Sequence, residues 1–168
     1  TFIARTLFHH TNLTEVLLAY FDARFNPDNG YSAAKREATQ QKLMVEFNAG
    51  LEEVENLSED RVFKLYMELI HSTLRTNYYQ PDGEGKTKPY ISVKFNPHMI
   101  PDVPLPLPMF EIFVYSPRVE GVHLRGGKVA RGGLRWSDRF EDYRTEILGL
   151  VKAQQVKNAV IVPVGAKG

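Results

Sequence analysis

Basic side chains stand beside glycines in the last stretch of the chain, RGGLRWSDRFEDYRTEILGLVKAQQVKNAVIVPVGAKG. Four cationic groups mark its junctions: Arg131, Arg135, Lys157 and Lys167. Because glycine has no side chain, a small anion can approach the backbone closely at Gly132, Gly133 and Gly168. This combination predicts a binding site for a small substrate that bears carboxylate groups.

The charge balance favours a small ligand over a polyanion. The 168-residue chain has a formal net charge of only +1, which argues against bulk binding of nucleic acid or of a membrane surface. Between Arg118 and Arg139, however, six basic residues face two acidic ones. A solvated basic face remains the alternative for Arg118 and Arg125. No run of apolar residues reaches the roughly 18 to 20 that a membrane span needs.

One helix is expected to position part of this site. Asp138, with Glu141 three residues later, resembles a capping box and predicts a helix start after Trp136. One stripe of this helix has residues at spacings of three and four: Tyr143, Ile147, Leu150, Gln154 and Lys157. An amide and an ammonium at the end of a core-facing stripe should meet an anion or line a cavity, since burying them unpaired is costly. The alternative is that Lys157 only caps the helix dipole.

A buried strand is predicted at residues 159–162, which are short and apolar. Lys167 would then lie just beyond the carboxyl end of a strand, where α/β proteins bind their ligands. A lysine on a flexible surface loop is the plainer alternative. Thr1 is not an initiator methionine, and Gly168 stops in a glycine-rich loop, so we expect a fragment of a longer chain.

The first part of the chain, residues 1–80, is predicted to be a helical segment. Apolar residues recur at helical spacing over residues 13–25 and, more sparsely, over residues 33–54. The third helix is predicted to begin with Ser58 as its N-cap, and its apolar face runs from Val62 to Leu74. The adjacent His9 and His10 have poor spacing for a metal site, so we expect no metal and place them at a turn or on the surface.

The second part, residues 81–168, is predicted to be an incomplete α/β domain. The polar segment at residues 80–89 breaks the helical pattern, and residues 90–95 then alternate like a strand. Five prolines between Pro97 and Pro108 exclude a helix or central strand and favour an extended connector. Residues 109–115 and 119–124 are two further strands. We therefore expect an α/β (α+β) fold, with a helical first half followed by a mixed sheet with flanking helices.

Two motifs are rejected on their context. The triplets Arg-Gly-Gly at residues 125–127 and 131–133 lie between apolar elements and not in the long low-complexity tracts of RNA-binding proteins. Lys167 is preceded by Ala166 and followed by Gly168, so the segment lacks the glycine spacing and the Ser/Thr of a P-loop.

The segment KVARGGLRWSDRFEDYRTEILGLVKAQQVKNAVIVPVGAKG resembles the substrate-binding segment of glutamate dehydrogenases, in particular the large NAD-specific bacterial type. HHTNLTEVLLAYFDARFNP, near the start of the chain, also looks like that family. The resemblance implies oxidative deamination of L-glutamate to 2-oxoglutarate and ammonia, in a glutamate dehydrogenase-like substrate domain.

The resemblance also implies roles for single residues. The family's Lys-Gly-Gly-x-Arg turn aligns with Arg131, Gly132, Gly133 and Arg135. Arginine stands here in place of the lysine at the first position. The first position is expected to contact the side-chain carboxylate, and Gln154 and Lys157 to hold the α-carboxylate. Lys167 is expected to activate the water that attacks the iminium. Arginine at position 131 would grip a carboxylate as a bidentate fork and not as a point charge.

The NAD-binding domain and the partner aspartate of this family would lie after Gly168, because the chain contains no G-x-G-x-x-G fingerprint. We therefore expect NAD to be bound outside this chain and the fragment alone to be inactive. The loop between Lys157 and Lys167 is shorter than in the hexameric enzymes, so motif order alone places Lys167. The full-length protein is expected to be a homo-oligomer and, since the chain has no cysteine and no signal peptide, cytoplasmic.

Two alternatives stay open from the residues. An amino-acid dehydrogenase of the leucine or phenylalanine type would keep Lys157 and Lys167 but drop the cation for a side-chain carboxylate. A non-catalytic assembly or regulatory module would fit the helical first half and the proline connector.

Overall fold

The computed structural model describes residues 1–128, 131–156 and 166–168, without the side chains of Arg131, Val156 and Ala166. The helices are α1 (Phe2–His9), α2 (Thr11–Phe25), α3 (Ala33–Leu51), α4 (Leu57–Ser72) and α5 (Tyr143–Val156). The strands are β1 (Thr73–Thr76), β2 (Ile91–Phe95), β3 (Phe110–Ser116), β4 (Val119–Arg125), β5 (Arg131–Gly132) and β6 (Ala166–Lys167). Helices followed by a sheet confirm the predicted fold class.

The chain divides into two compact units, Thr1–His71 and Ser72–Gly168. The sequence predicts the boundary between the two parts at residues 80–81 instead, in the polar loop that follows β1. Leu74 was expected on the face of the third helix, and this prediction is wrong because α4 ends at Ser72. The segment that follows pairs with β2, so strand hydrogen bonds replace the helical ones and override the local periodicity.

The first unit is built on α1 to α4 and has its own apolar core. Its buried residues come from three helices and one loop: Leu13, Leu17, Tyr20, Phe47, Val54, Phe63 and Met67. The predicted N-cap Ser58 is wrong, since Asn56 fills that position. The Asn56 Oδ1 accepts hydrogen bonds from the backbone N–H groups of Ser58 at 2.9 Å and Glu59 at 3.3 Å.

The two adjacent histidines lie at the end of α1 and contact Glu59. The His10 Nε2 is 3.0 Å from one Glu59 carboxylate oxygen, and the His9 Nδ1 is 3.7 Å from the other. The hydrogen bond with His10 is the main cause that lowers the pKa of the Glu59 carboxyl. The pair therefore links α1 to the first turn of α4.

The second unit is a six-stranded mixed sheet in the order β1-β2-β3-β4-β6-β5. All neighbouring strands are antiparallel except β5 and β6, which are parallel. Strands β2, β3 and β4 confirm the three predicted strands to within one residue at each end. Among them β4 has the clearest covered side, because Leu124 and Val122 lie in the core that β4 forms with α5.

Helix α5 packs on one face of this sheet at β4, β5 and β6. Its buried residues Ile147, Leu148 and Val151 pack against Leu124 of β4, with Val122 beside them. The predicted stripe through Leu150 and Gln154 is thus off by part of a turn, and these two side chains are only partly buried. None of the helices that the structure describes is long and apolar enough to cross a membrane.

Candidate functional site

The pairing of β5 with β6 brings the predicted catalytic lysine to the glycine turn. Arg131 pairs with Ala166 and Gly132 with Lys167 in parallel register, and the Gly133 N–H donates to the Lys167 carbonyl at 3.3 Å. Lys167 therefore lies within a short strand and not on a flexible surface loop, which was the plainer alternative. A strand holds the backbone more firmly than a loop, while the side chain stays exposed.

The other edge of β6 is fixed by β4. Lys167 pairs with Arg125 in antiparallel register, and Gly168 exchanges two backbone hydrogen bonds with Leu124, of 2.8 and 3.0 Å. Since successive strand residues face opposite sides, Lys167 shares the face of Arg125, whereas Gly168 lies over α5. Gly168 is close-packed there, because a Cβ at this position would come within 3.3 Å of Ile147 and Leu150.

Close approach of the backbone requires glycine at the first of the two glycine positions of the turn. A Cβ at Gly132 would collide with the carbonyl oxygen and the Cγ of Lys167. At Gly133 a Cβ would lie 3.4 Å from the δ-carbons of Leu150 on α5. The turn can therefore approach the strand that carries Lys167 only because Gly132 lacks a side chain, whereas the Cβ at Gly133 would make an ordinary contact with the helix.

Arg135 is already paired in the structure. Its Nε donates to the Glu146 Oε2 at 2.6 Å, and the Ser137 hydroxyl lies 3.1 Å from the other carboxylate oxygen. The Arg135 hydrogen bond is the main cause that lowers the pKa of the Glu146 carboxyl, with smaller contributions from Ser137 and Arg139. The expected capping pair Asp138 and Glu141 is wrong, because α5 begins only at Tyr143, after both of these residues.

The remaining predicted site residues are only partly located. Gln154 lies in the last turns of α5 with a partly buried side chain. Lys157 and the predicted strand at residues 159–162 lie outside the described residues, and so does the side chain of Arg131. The structure thus brings together Gly132, Gly133 and Lys167.

One ion pair was not foreseen from the sequence. The Arg144 guanidinium donates to both oxygens of the Glu111 carboxylate, at 2.7 and 2.6 Å. This partly buried bidentate pair ties α5 to β3, and the Glu111 hydrogen bond raises the pKa of Arg144. The partners are 33 residues apart, so no local spacing could indicate them.

A second group of polar residues was also missed as a site. His123 on β4 has a lowered pKa, first because of burial and then because Lys167 and Arg125 are positive neighbours. The ammonium of Lys94 lies 3.7 Å from the centre of the Phe110 ring. The alternation of residues 90–95 does set Lys94 on the face away from Ile91, Val93 and Phe95, which was the available signal.

Comparison with known proteins matches this sequence to one family. The family model described as the catalytic domain of bacterial NAD-glutamate dehydrogenase matches residues 46–168. Three proteins, each named NAD-specific glutamate dehydrogenase, are similar to nearly the whole chain. They come from Pseudomonas aeruginosa (62% identical over 99% of the chain), Halomonas elongata (55% over 99%) and Mycobacterium tuberculosis (50% over 100%). The chain spans about one tenth (10%) of the length of each.

Proposed function

Because the chain belongs to the family of bacterial NAD-glutamate dehydrogenase catalytic domains, we propose that it supplies part of the substrate site of such an enzyme. The reaction converts L-glutamate, NAD⁺ and water into 2-oxoglutarate, ammonium, NADH and a proton. The two electrons leave the substrate as a hydride from its α-carbon. Water then adds to the resulting iminium carbon, and the nitrogen departs as ammonium.

The observation that carries this proposal is the backbone pairing of Lys167 with Gly132, beside the turn that begins at Arg131. It supports a site in which the lysine of one segment lies beside the glycine turn of another, where a small anion can approach the backbone. Lys167 would accept a proton from the water as the water oxygen adds to the iminium carbon. Arg131 would hold the side-chain carboxylate as a bidentate fork. Gln154 and Lys157 would hold the α-carboxylate.

The cofactor does not fit this chain. The sequence lacks the glycine-rich fingerprint of a dinucleotide site, and the sheet around β4 and β6 is largely antiparallel, whereas that fingerprint opens a helix between parallel strands. We therefore assign NAD to a part of the full-length protein outside these residues, and we expect the 168-residue chain alone to be inactive. A cytoplasmic, homo-oligomeric full-length protein stays a prediction.

Steady-state rates of the full-length protein with L-glutamate and L-leucine test the substrate class. We expect kcat/KM for glutamate to exceed that for leucine by at least about 10³-fold, because leucine leaves the cations at the side-chain end without a partner. NADH formation is the measurement. Arg131→Met serves as the matched variant, because it keeps the length of the side chain and removes the charge.

The outcomes separate the two dehydrogenase classes. Arg131→Met should lower kcat/KM for glutamate by about 10²-fold or more and leave the low rate with leucine nearly unchanged. A full-length protein that prefers leucine, or one in which Arg131→Met affects both substrates equally, would show that Arg131 does not recognise a side-chain carboxylate. No turnover with either substrate would favour the assembly module.

The pairing of Arg135 with Glu146 leads to a second prediction. If Arg135 also holds the substrate, it must first leave Glu146, so Glu146→Gln should lower KM for glutamate. The expected change is up to about fivefold, since an exposed ion pair is worth at most about 1 kcal/mol. Arg135 is 57% exposed, which supports this small size. If Glu146→Gln leaves KM unchanged, or if Glu141→Gln lowers KM as well, then Arg135 forms only a surface ion pair with α5 and does not hold the substrate.

A further inference from the structure

The face of the sheet opposite α5 carries a cavity lined largely by cationic groups. Its volume is about 270 Å³. Five basic residues line it: Arg75, Lys94, His123, Arg125 and Lys128. Phe110 and Ile112 of β3 form an apolar floor between them. A cavity of this size can take a small ligand but not a chain segment of any length.

The strand register explains why these residues meet. Arg75 of β1 pairs with Lys94 of β2, and Lys94 pairs with Ile112 of β3. Ile112 in turn pairs with His123 of β4, so one continuous row crosses four strands on one face. Arg125 lies two residues beyond His123 on the same face. The cluster therefore depends on four strands that are distant in the chain.

The described residues offer these cations no anionic partner. Arg125 turns its guanidinium onto backbone carbonyls of its own turn, those of Gly127 (2.7 Å) and Lys128. By donor count this leaves three N–H groups of Arg125 for a ligand. In the described part of the chain, no acidic side chain forms an ion pair with Arg75, Lys94, Arg125 or Lys128.

This arrangement is costly without a ligand. Like charges directly opposite on neighbouring strands destabilise a sheet, and Arg75 faces Lys94 in this way. Burial, followed by the charges of Arg75 and Arg125, lowers the pKa of the Lys94 ammonium. A bound anion would relieve both the repulsion and the loss of hydration.

We propose that this cavity binds a small ligand that carries two or more phosphate groups. Four formal positive charges exceed what one carboxylate balances, and the planar guanidinium groups of Arg75 and Arg125 match phosphate oxygens in a bidentate manner. Lys94, held over the Phe110 ring, would add a point charge between them. In the described part of the chain neither Gln154 nor Lys167 lines the cavity, although Lys167 lies on the same face of the sheet, paired with Arg125. The test below measures binding, so it does not rest on glutamate turnover.

Calorimetric titration of the full-length protein with inorganic pyrophosphate tests this site. At constant ionic strength and without divalent metal ions, we expect one site with a Kd below ~1 mM. Lys94→Met should weaken the binding by at least about tenfold, because it removes a partly buried charge and keeps the chain length. Lys152→Met is the matched control, since Lys152 is exposed on α5 and the change in net charge is the same. It should leave Kd within about twofold.

A second variant separates loss of charge from loss of packing, because Lys94→Met also changes the contact with Phe110. Arg75→Met changes an exposed side chain and should also weaken pyrophosphate by about tenfold, with an unchanged unfolding midpoint. Saturating L-glutamate should leave Kd within about threefold. Three results would each overturn the proposal: no binding at millimolar pyrophosphate, equal weakening by Lys152→Met, or complete displacement by glutamate. All are binding measurements, so an inactive enzyme would not decide them.

Discussion

Lys167→Ala in the full-length protein is expected to lower glutamate turnover by about 10²- to 10⁴-fold, the usual contribution of a positioned general acid–base group. The reason is geometric as well as chemical. Lys167 is held in register with Gly132 on one side and Arg125 on the other. Loss of its amine removes the proposed proton acceptor without removing these backbone contacts. NADH formation under saturating substrate measures the effect on kcat.

The control for this variant is Lys152→Ala, because Lys152 is an exposed lysine on α5. It should keep wild-type turnover. Gel filtration should show the same assembly for both variants and the wild type. Normal turnover of Lys167→Ala would refute the catalytic role and favour an assembly or regulatory module. If Lys167→Ala changes the assembly, then turnover is measured instead with Lys167→Met, which keeps the apolar stem of the side chain.

Gly132→Ala is expected to damage both stability and turnover. The added methyl group would collide with the Lys167 carbonyl and side chain, so β5 and β6 must separate. Overpacking of this kind costs about 1 to 3 kcal/mol of unfolding free energy. Because the displaced strand carries Lys167, we also expect kcat to fall by at least about tenfold. Denaturant unfolding and steady-state kinetics measure the two effects.

A second glycine provides the matched control. Gly149 lies within α5, and a Cβ there would meet no atom within 4 Å. Gly149→Ala should therefore stabilise the protein by about 0.5 to 1 kcal/mol, because alanine loses less backbone entropy in a helix. Turnover should be unchanged. If Gly132→Ala is as stable and as active as Gly149→Ala, then the close approach of β5 to β6 has no role in the site.

Much of the fold could be predicted because local physical chemistry is strong in those segments. Alternation over residues 90–95 indicates β2, and prolines before β3 exclude competing helices. The apolar spacing of α2 reflects the core that it enters. Errors occur where tertiary contacts decide. The end of α4 at Ser72 is set by pairing with a strand some 20 residues later, and Asn56 replaced Ser58 as the cap.

The segment from Arg131 to Gly168 shows the same division within the candidate site. Residue types and spacing alone determined that cations and glycines would cluster there and that a helix would separate the two glycine-rich ends. The resemblance to glutamate dehydrogenases added the expected roles. None of this showed that Arg135 pairs with Glu146 or that Arg144 grips Glu111, since both depend on how α5 lies on the sheet.

The sequence by itself thus determined the family and predicted α2 to α5 together with β2, β3 and β4, whereas the anionic character of the substrate stays a prediction. Only the tertiary structure decided that Lys167 lies in a strand between β4 and β5, on the face that also carries His123 and Arg125. The physical reason is that backbone pairing and strand register join residues far apart in the chain, and local periodicity carries no information about such partners.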